Sequence, residues 1–595
     1  MIGQIYSKKQ MNQAAVGKYW CISRKTKEKW SEAMTKYFWR YPWRLAFTVV
    51  ANITAAGVLV AYSYVLQLIT DIATGAIQLS FALAVPAVIV YLIVQALTDS
   101  TAEYLNESVP ARIGQELRGE LFTHYNQFRP LHFYQKQVGQ YVAQLTKQVD
   151  VVTQSYFHVI LRVVYLVSLL ILAVLGTFLI DPVITVGVAL LSLPAVIFPF
   201  LVKKWLESAK TDLVIAIENY TSKVADILAG FTTIQYALSV PQFKRKHERA
   251  SKQVLLKTVR DQRIQKITSG VSDFLGDVMY LGAWLMGAYF VRRGEITLGQ
   301  LVAFSQLASL FNWPMAMLTE MLAEFYGGRK QARELAMILK TTTDGPLFLP
   351  EQTNFSISLN NDPLIEFQNV SYQVDDKQIL QSIDLQFAAD KKYLVVGASG
   401  SGKTTLIRTL LGDLAPTAGT VKLQGKPMIE FDRGAVYSNF GVMTQKPDIF
   451  QGTVRENVTL FDQSFSADAV KKAIYRAGLG SWLIQHGLDT QISAESPLLS
   501  GGEKQRLVLA RLFLHDPPFM IFDELTTGLD PQIAAKLQMD LLSMRQGFIL
   551  ITHQYNAATF AQVDEIIVLQ EGQVMARGNA GDVEVSEALT DLQLI

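Results

Sequence analysis

Charged side chains divide this chain into two unlike parts. Up to residue 320 the sequence holds long stretches without Asp, Glu, Lys or Arg: Arg44 to Asp71, Asp71 to Asp99, Arg162 to Asp181, Asp181 to Lys203, Asp277 to Arg292 and Glu295 to Glu320. A hydrocarbon layer of about 30 Å takes roughly 20 helical residues, so all but one of these stretches are long enough or nearly so. The stretch after Asp277 rises only about 21 Å, which predicts that its helix carries Asp277 into the apolar layer or against a wet cavity. Helical spans are therefore predicted near 45–70, 78–98, 160–180, 182–202, 272–292 and 296–319, with long loops over 99–159 and 203–271.

Lys and Arg crowd into residues 1–44 and 203–273 and are missing from the hairpins at 71–79 and 181–182. That asymmetry predicts a cytosolic N-terminus and two cytosolic loops, against the minority vote of Arg292 and Arg293. Apolar residues recur at helical spacing in the loops, as in Val224, Ile227, Leu228 and Phe231, so the helices are expected to continue past the membrane. Trp30, Tyr37, Trp39, Tyr41 and Trp43, interleaved with Lys36, Arg40 and Arg44, fit either a helix lying in the interface or the aromatic flank of the first span.

Composition supports a membrane protein: apolar residues make up 50% and charged ones 18%, against about 25% charged in soluble domains. Fifty-four cations against 52 acids leave a net charge of +2, so no basic field argues for a nucleic-acid partner. Cys21 alone permits no internal disulfide and no cysteine metal cluster. The N-terminal segment is too long and too charged to read as a secretory signal.

Residues 341–363, rich in Thr, Asn, Asp and Pro, read as a linker into a soluble α/β domain over 364–595. There the apolar strand Lys392 to Val396 runs straight into Gly397-Ala398-Ser399-Gly400-Ser401-Gly402-Lys403-Thr404, a full GxxxxGK[ST] phosphate loop followed by Thr405 and a helix. Its glycines let backbone amides curl around phosphates, Lys403 reaches the β and γ oxygens, the Thr404 hydroxyl suits Mg²⁺, and the helix start adds positive potential. A second strand, Phe519 to Phe522, delivers Asp523 and Glu524 at its carboxyl end, where parallel sheets bind ligands. Asp523 would hold Mg²⁺ and Glu524 would polarise an attacking water as general base. Ser500-Gly501-Gly502-Glu503, ahead of an apolar helix, makes an N-terminus with free amide donors for an anion.

In this order the motifs resemble the ATP-binding cassette transporters, and with six spans ahead of the ATPase the chain is similar to their exporter half-transporters. The resemblance rests on the phosphate loop, on Gln445 in Val-Met-Thr-Gln-Lys-Pro-Asp, and on Gly452 to Asn457. It extends through Ser500 to Glu503, Asp523 and Glu524, Asp530 in Gly-Leu-Asp, and His553 in Ile-Thr-His. Val138-Gly139-Gln140 through Asp150 and Gly294 to Gly299 also look like exporter sequence. The expected architecture is a multidomain one: an all-α six-helix transmembrane domain, 45–340, behind a cytosolic segment 1–44, then an α/β P-loop NTPase domain.

The resemblance implies ATP and Mg²⁺ as ligands and head-to-tail closure of two cassettes, each ATP lying between one phosphate loop and the partner's Ser500 signature. A second half-transporter is therefore implied, identical or different, within the lipid of a bacterial cell membrane. Gln445 would ligate Mg²⁺ and report to the membrane half, His553 would hold the γ-phosphate and the water, and Asp530 would form the loop between cassettes. Short helices near 129–137 and 226–238 would touch the cassettes.

Four features depart from the family pattern, one being the Gly-Glu-x-Gly element common before the signature, of which Ser493-Ala494-Glu495-Ser496 keeps only a glutamate, one position late. An aromatic ring usually stacks on adenine where alignment places Val374, so Tyr372, predicted on the same strand face, either supplies the ring or packs in the core. The signature ends in Glu503 rather than glutamine, and Leu525 replaces a proline.

Asp273 and Asp277, and likewise Glu320 and Glu324, are spaced to share a helix face. They would receive a cationic amphiphile at the inner mouth, or be neutralised by cations such as Arg263 and Lys266. The expected activity is ATP-driven export of an amphipathic small molecule, drug or lipid. Export of a peptide is the alternative, and an ATP-gated regulator that transports nothing is the alternative from another class. The N-terminal 44 residues, with Cys21 and no histidine, do not suit the cysteine protease domain that many peptide exporters carry.

Overall fold

The structure is a computed structural model that describes residues 34–341, 363–375, 377–444, 447–523, 538–551 and 561–591. The chain forms two compact bodies: one takes residues up to Thr123 and Val138–Thr342, the other His124–Gln137 together with Thr343–Ile595.

Among the described residues the regular structure of the first body is all helical. After a helical stretch over 34–39 come α1 (Pro42–Ala73), α2 (Phe81–Asn126), α3 (Pro130–Phe133), α4 (Val138–Ile180), α5 (Pro182–Ala229), α6 (Phe231–Tyr236), α7 (Val240–Arg293) and α8 (Leu298–Lys340), with α3 belonging to the second body. Helices α1, α2, α4 and α7 are long and apolar enough to cross a membrane, and Pro182–Pro194 and Leu298–Leu310 are shorter apolar stretches. The short apolar stretch after Asp277 is thus the end of a helix of 54 residues that runs unbroken from the charged loop.

Local chemistry sets the turns. Asp181 caps α5 by accepting from the amides of Val183 and Ile184, at 2.8 and 2.9 Å, with Pro182 occupying the first helical position. Gly294 ends α7 in the left-handed region, and Thr297 opens α8 through a capping box with Gln300. Residues 34–41 are tied to α2: Tyr37 donates to Glu120 at 2.5 Å, and Arg40 reaches Glu116 at 3.1 Å and Glu120 at 2.6 Å. Tyr37 is buried while Trp39 and Trp43 stay exposed, the disposition of a segment anchored on protein with indoles turned outward. Helix α4 contains π-turns at Gln144–Gln148 and Thr153–His158, which its sequence did not announce.

The second body carries β1 (Ile365–Val374), β2 (Lys377–Phe387), β3 (Lys392–Val396), α9 (Lys403–Leu410), β4 (Ala418–Leu423), β5 (Lys426–Pro427), α10 (Arg433–Tyr437) and β6 (Phe440–Met443). It continues through β7 (Gly452–Thr453), α11 (Val454–Thr459), α12 (Ala467–Arg476), α13 (Gly480–His486), β8 (Gln491–Ile492), α14 (Gly501–His515), β9 (Phe519–Asp523), β10 (Gly547–Ile551), β11 (Glu565–Gln570), β12 (Gln573–Gly578) and α15 (Val583–Asp591). One antiparallel sheet runs β2-β1-β4-β5; the main sheet runs β12-β11-β3-β10-β9-β6, parallel except at β12. Alternate residues of β3 face two separate cores, Leu394 and Val396 one and Tyr393 and Val395 the other. A strand buried on both faces explains its continuous apolar run.

Candidate nucleotide site

The parallel register puts the chemistry in one row. Ile551 of β10 lies opposite Val395 of β3 on one side and Asp523 of β9 on the other. The phosphate loop and Asp523 therefore leave the same edge of the sheet two strands apart, about 10 Å at the usual strand spacing. Ligands of parallel sheets bind at this edge.

The loop is built on close approach. A Cβ on Gly397, at φ 155°, would lie 2.2 Å from the Leu569 carbonyl and 2.6 Å from Ser401 Oγ. Gly402, at φ 106°, starts α9 in the left-handed region with Ile379 O 3.0 Å from where a Cβ would stand. Gly572, in the β11–β12 turn, donates to Ser401 O at 3.1 Å while accepting from Gln381 N at 2.8 Å, so a remote hairpin braces the loop. Lys403 is buried, its ammonium donating to Gly397 O and Ala398 O at 2.8 and 2.9 Å. Ser401 Oγ is buried and takes no hydrogen-bond partner among the described residues. A buried donor beside a lysine and a helix N-terminus fits a phosphate oxygen. Thr404 is exposed, Thr405 half-buried, and Ser399 and Gly400 are exposed on the rim. The Thr404 hydroxyl and Asp523 carboxylate make an all-oxygen donor set, the kind that suits Mg²⁺.

Ser500 caps α14: Glu503 N donates to Ser500 Oγ at 3.4 Å, while the Ser500 amide and hydroxyl both donate to Glu503 Oε2 at 2.8 Å. Glu503 thus keeps the capping box that glutamine would form, but adds a negative charge beside Ser500, Gly501 and Gly502. Lys504 fixes the preceding turn through Ala494 O at 2.7 Å. Gln445, Glu524, Asp530 and His553 lie outside the described residues, as does Leu525.

Tyr372 packs against the core cluster of the antiparallel sheet, whereas Val374 is exposed at the strand end. Register shifts on both sides of Tyr372 mark irregular pairing with β2. Asp273 and Asp277 are exposed on α7 and form no ion pair among the described residues, with Arg263 or Lys266 or otherwise. Glu324 accepts from Ser155 Oγ at 3.1 Å, in the second π-turn of α4, and the side chain of Glu320 lies outside the described set.

Two sets of contacts escaped the sequence reading, although the second lies where a short helix near 129–137 was expected to touch a cassette. Asn457 bonds Phe450 both ways, at 2.8 and 2.9 Å, and accepts from Arg511 at 2.7 Å through its carbonyl and 3.1 Å through its side chain. Arg511 is buried under Phe450, its guanidinium 5.4 Å from the ring centroid, and burial pulls its pKa down to about 10 against the pull of Asp448. The pair links the helix behind the signature to the segment that follows Gln445. The motif Gly452 to Asn457 was visible as family sequence; a polar side chain holding two backbone groups was not.

The second group seats residues 124–137 in the cassette. Arg129 donates to Gly412 O at 2.5 Å, just past α9, and Arg433 donates to Gln127 O at 2.8 Å. Between them Tyr437 donates to Asp413, whose carboxyl is pushed above its usual range by burial although Tyr437 and the arginines 129, 408 and 433 pull it down.

Residues 45–315 match the family described as ABC transporter transmembrane region, and residues 380–527 that described as ABC transporter. Among known proteins, the lactococcin-A transport/processing ATP-binding protein LcnC of Lactococcus lactis subsp. lactis is 28% identical over 366 residues, 61% of this chain and 50% of its own length. The exotoxin translocation ATP-binding protein PaxB of Pasteurella aerogenes is 26% identical over 511 residues, 84% of this chain and 70% of its own. The chain spans about half the length of the lactococcin relatives it matches. A solved structure of a bacterial Atm1-family ABC exporter with ATP bound aligns with a TM-score of 0.73 at 20% identity, covering 93% of this chain and 98% of that one. The fold is shared with that exporter, and the chain is a multi-pass membrane protein of the ATP-binding cassette transporter family, with one transmembrane region fused ahead of one cassette.

Proposed function

We propose that the chain is an ATP-hydrolysing exporter that works as a dimer of half-transporters in a bacterial cell membrane, its N-terminus and cassette in the cytosol. The observation that carries this reading is the preformed phosphate loop, with buried Ser401 Oγ and Lys403 set beside Asp523 at one edge of the parallel sheet. Backbone amides of 397–405 and the Lys403 ammonium hold the phosphates of ATP, which would also meet the amide donors behind Ser500 of a second cassette. Thr404, Asp523 and Gln445 would hold Mg²⁺, which when bound neutralises charge on the β- and γ-phosphates. Glu524 takes a proton from the water that attacks the γ-phosphorus, His553 orients that phosphate, and ADP leaves. Asp530 would form the loop through which the two cassettes exchange contacts.

The dimer is supported by α6, which leaves Phe231 59% and Tyr236 85% exposed, with Leu238 just beyond it 85% exposed, on a segment far along the hairpin from the apolar stretches. A second copy of the cassette is the surface we assign to them. For the cargo, the exposed Asp273 and Asp277 with Glu320 and Glu324 favour an amphipathic cation, a drug or lipid, over a neutral solute. A polypeptide cargo is the second reading, favoured by the likeness to lactococcin and exotoxin transport proteins.

The test is ATPase activity and flux in lipid vesicles, with particle mass from light scattering. Activity in a dimer, lost in Glu524→Gln, is expected; activity in a monomer, or activity that survives the substitution, would reject the reading. Stimulation by cationic amphiphiles that Asp277→Asn removes selects the small-molecule cargo, and stimulation by peptides alone selects the other.

A further inference from the structure

A well-formed cavity among the described residues lies outside the cassette. Below the apolar stretches α5 and α7 run antiparallel as a hairpin closed by α6, and their facing surfaces diverge around a cleft of about 890 Å³. Lys223 of α5 and Arg245, Lys246, Arg249 and Lys252 of α7 line it. None of these five makes an ion pair among the described residues. The acid in the lining, Asp212, is already held by Lys257 at 2.7 Å and Arg260 at 3.1 Å.

Membrane topology accounts for cations on these helices but not for their placement. Elsewhere along the same hairpin, lysines sit beside acids one turn away: Lys203 with Glu207 at 3.6 Å, Lys244 with Glu248 at 4.0 Å. Inside the cleft Lys257 holds Asp212, and the other five cations, drawn from both helices, share one concave space lined also by Ile215, Ala216 and Ala250. A concave site with a large excess of one sign focuses its field on whatever enters. Guanidinium forks and flexible ammonium groups together match phosphate oxygens. Neutralising five cations in so small a volume takes a compact anion of high charge, which a chain of phosphates supplies.

We propose that the cleft between α5 and α7 binds a polyphosphate group, free or as the tail of a nucleotide. Occupancy cancels the repulsion between the two helices and stiffens the hairpin that carries α6. The site is separate from the nucleotide site of the cassette and does not depend on which cargo is exported.

The full chain in lipid nanodiscs, carrying Lys403→Ala to weaken the phosphate loop, is titrated calorimetrically with inorganic tripolyphosphate and, separately, with Mg²⁺-free ATP. One equivalent of tripolyphosphate is expected to bind, with affinity lowered at least about tenfold by Arg245→Ala/Arg249→Ala and unchanged by Lys204→Ala/Lys210→Ala, which removes equal charge outside the cleft. Equal affinity for ATP assigns recognition to the phosphates alone, and tighter ATP binding that the arginine pair also abolishes assigns the nucleotide as the source. No binding, no effect of the arginine pair, or equal loss from both pairs would overturn the proposal.

Discussion

Tyr437 donates its phenolic hydroxyl to the carboxylate of Asp413, in the pocket where residues 124–137 meet the cassette. Burial raises the folded-state pKa of Asp413 above its unfolded value, the arginines offsetting part of the cost. Between the two values the folded protein binds the extra proton, so this group favours folding at low pH and its contribution is lost as pH rises through the folded pKa. Asp413→Asn, which keeps an acceptor for Tyr437, is expected to melt higher than the parent at pH 7.5, with the difference shrinking toward pH 4. Tyr437→Phe, leaving the carboxylate without its donor, is expected to lose about 1–3 kcal/mol. Thermal melts across that pH range check both, and a difference that grows toward acid would contradict the assignment.

Arg129 and Arg433 bond across the same pocket in opposite directions, each reaching a main-chain oxygen of the other segment. Neither belongs to the phosphate loop. Removing one charged donor costs about 1.5–3 kcal/mol of attachment, roughly tenfold or more in the docked population. Arg129→Ala and Arg433→Ala should therefore hydrolyse ATP at near-parental rate while flux per ATP falls about tenfold. Proportionate loss of hydrolysis and flux would mean that the pocket only supports folding.

These arginines also mark where the sequence stops being informative. The phosphate loop, the acidic strand end and the apolar stretches were legible because each is local: a spacing of glycines before a lysine, two acids after four apolar residues, a gap between charges. Arg129 and Gly412 are far apart in sequence, and nothing local at either announces the other. Tyr372 stayed open between two roles for a related reason, since what a strand residue packs against depends on partner strands and not on its neighbours in sequence. The continuous helix through Asp277 was foreseen in part, because helical periodicity survives the change from apolar to charged surroundings whereas a window counting charges ends there.

Glu503 places a carboxylate within hydrogen-bond reach of Ser500, where a partner's γ-phosphate is expected to arrive. Glutamine retains the acceptor that makes the capping box but removes the repulsion. Two like charges separated by about 6 Å near a protein surface repel by roughly 1–3 kcal/mol. Glu503→Gln should thus lower the ATP concentration for half-maximal hydrolysis about threefold or more at unchanged melting temperature, an effect that fades in high salt. A salt-independent change, or a melting shift of several degrees, would assign the effect to the cap instead.

Arg511 and Asn457 lock the helix of the signature to the segment after Gln445. Arg511→Met preserves volume and removes the bonds, leaving the carbonyl of Asn457 buried without its donor, a loss of about 1–3 kcal/mol. Asn457→Ala strips Phe450 of both partners and should cost a similar amount. Because the two share one network, the double variant should lose less than the sum of the singles. Strict additivity in a double-mutant cycle on the full chain would show that the two residues act independently.

At the far end of the helical body, Asp71 is buried at the end of α1 and accepts from Gly299 N at 3.2 Å, in the first turn of α8. A carboxylate at a helix N-terminus is favoured by its free amides, and here the cap comes from another helix. The approach leaves no space: a Cβ on Gly299 would stand 2.4 Å from Asp71 Oδ1 and 2.6 Å from Gln67 O. The carboxylate is able to swing, but the main-chain oxygen moves only with α1 itself. Gly299→Ala should therefore separate the two helix ends and lower stability by about 1–3 kcal/mol, whereas Asp71→Asn, which keeps the acceptor, should lose less. Melting curves in lipid rank the two, and an alanine variant as stable as the parent would mean that α1 and α8 slide past one another freely at this point.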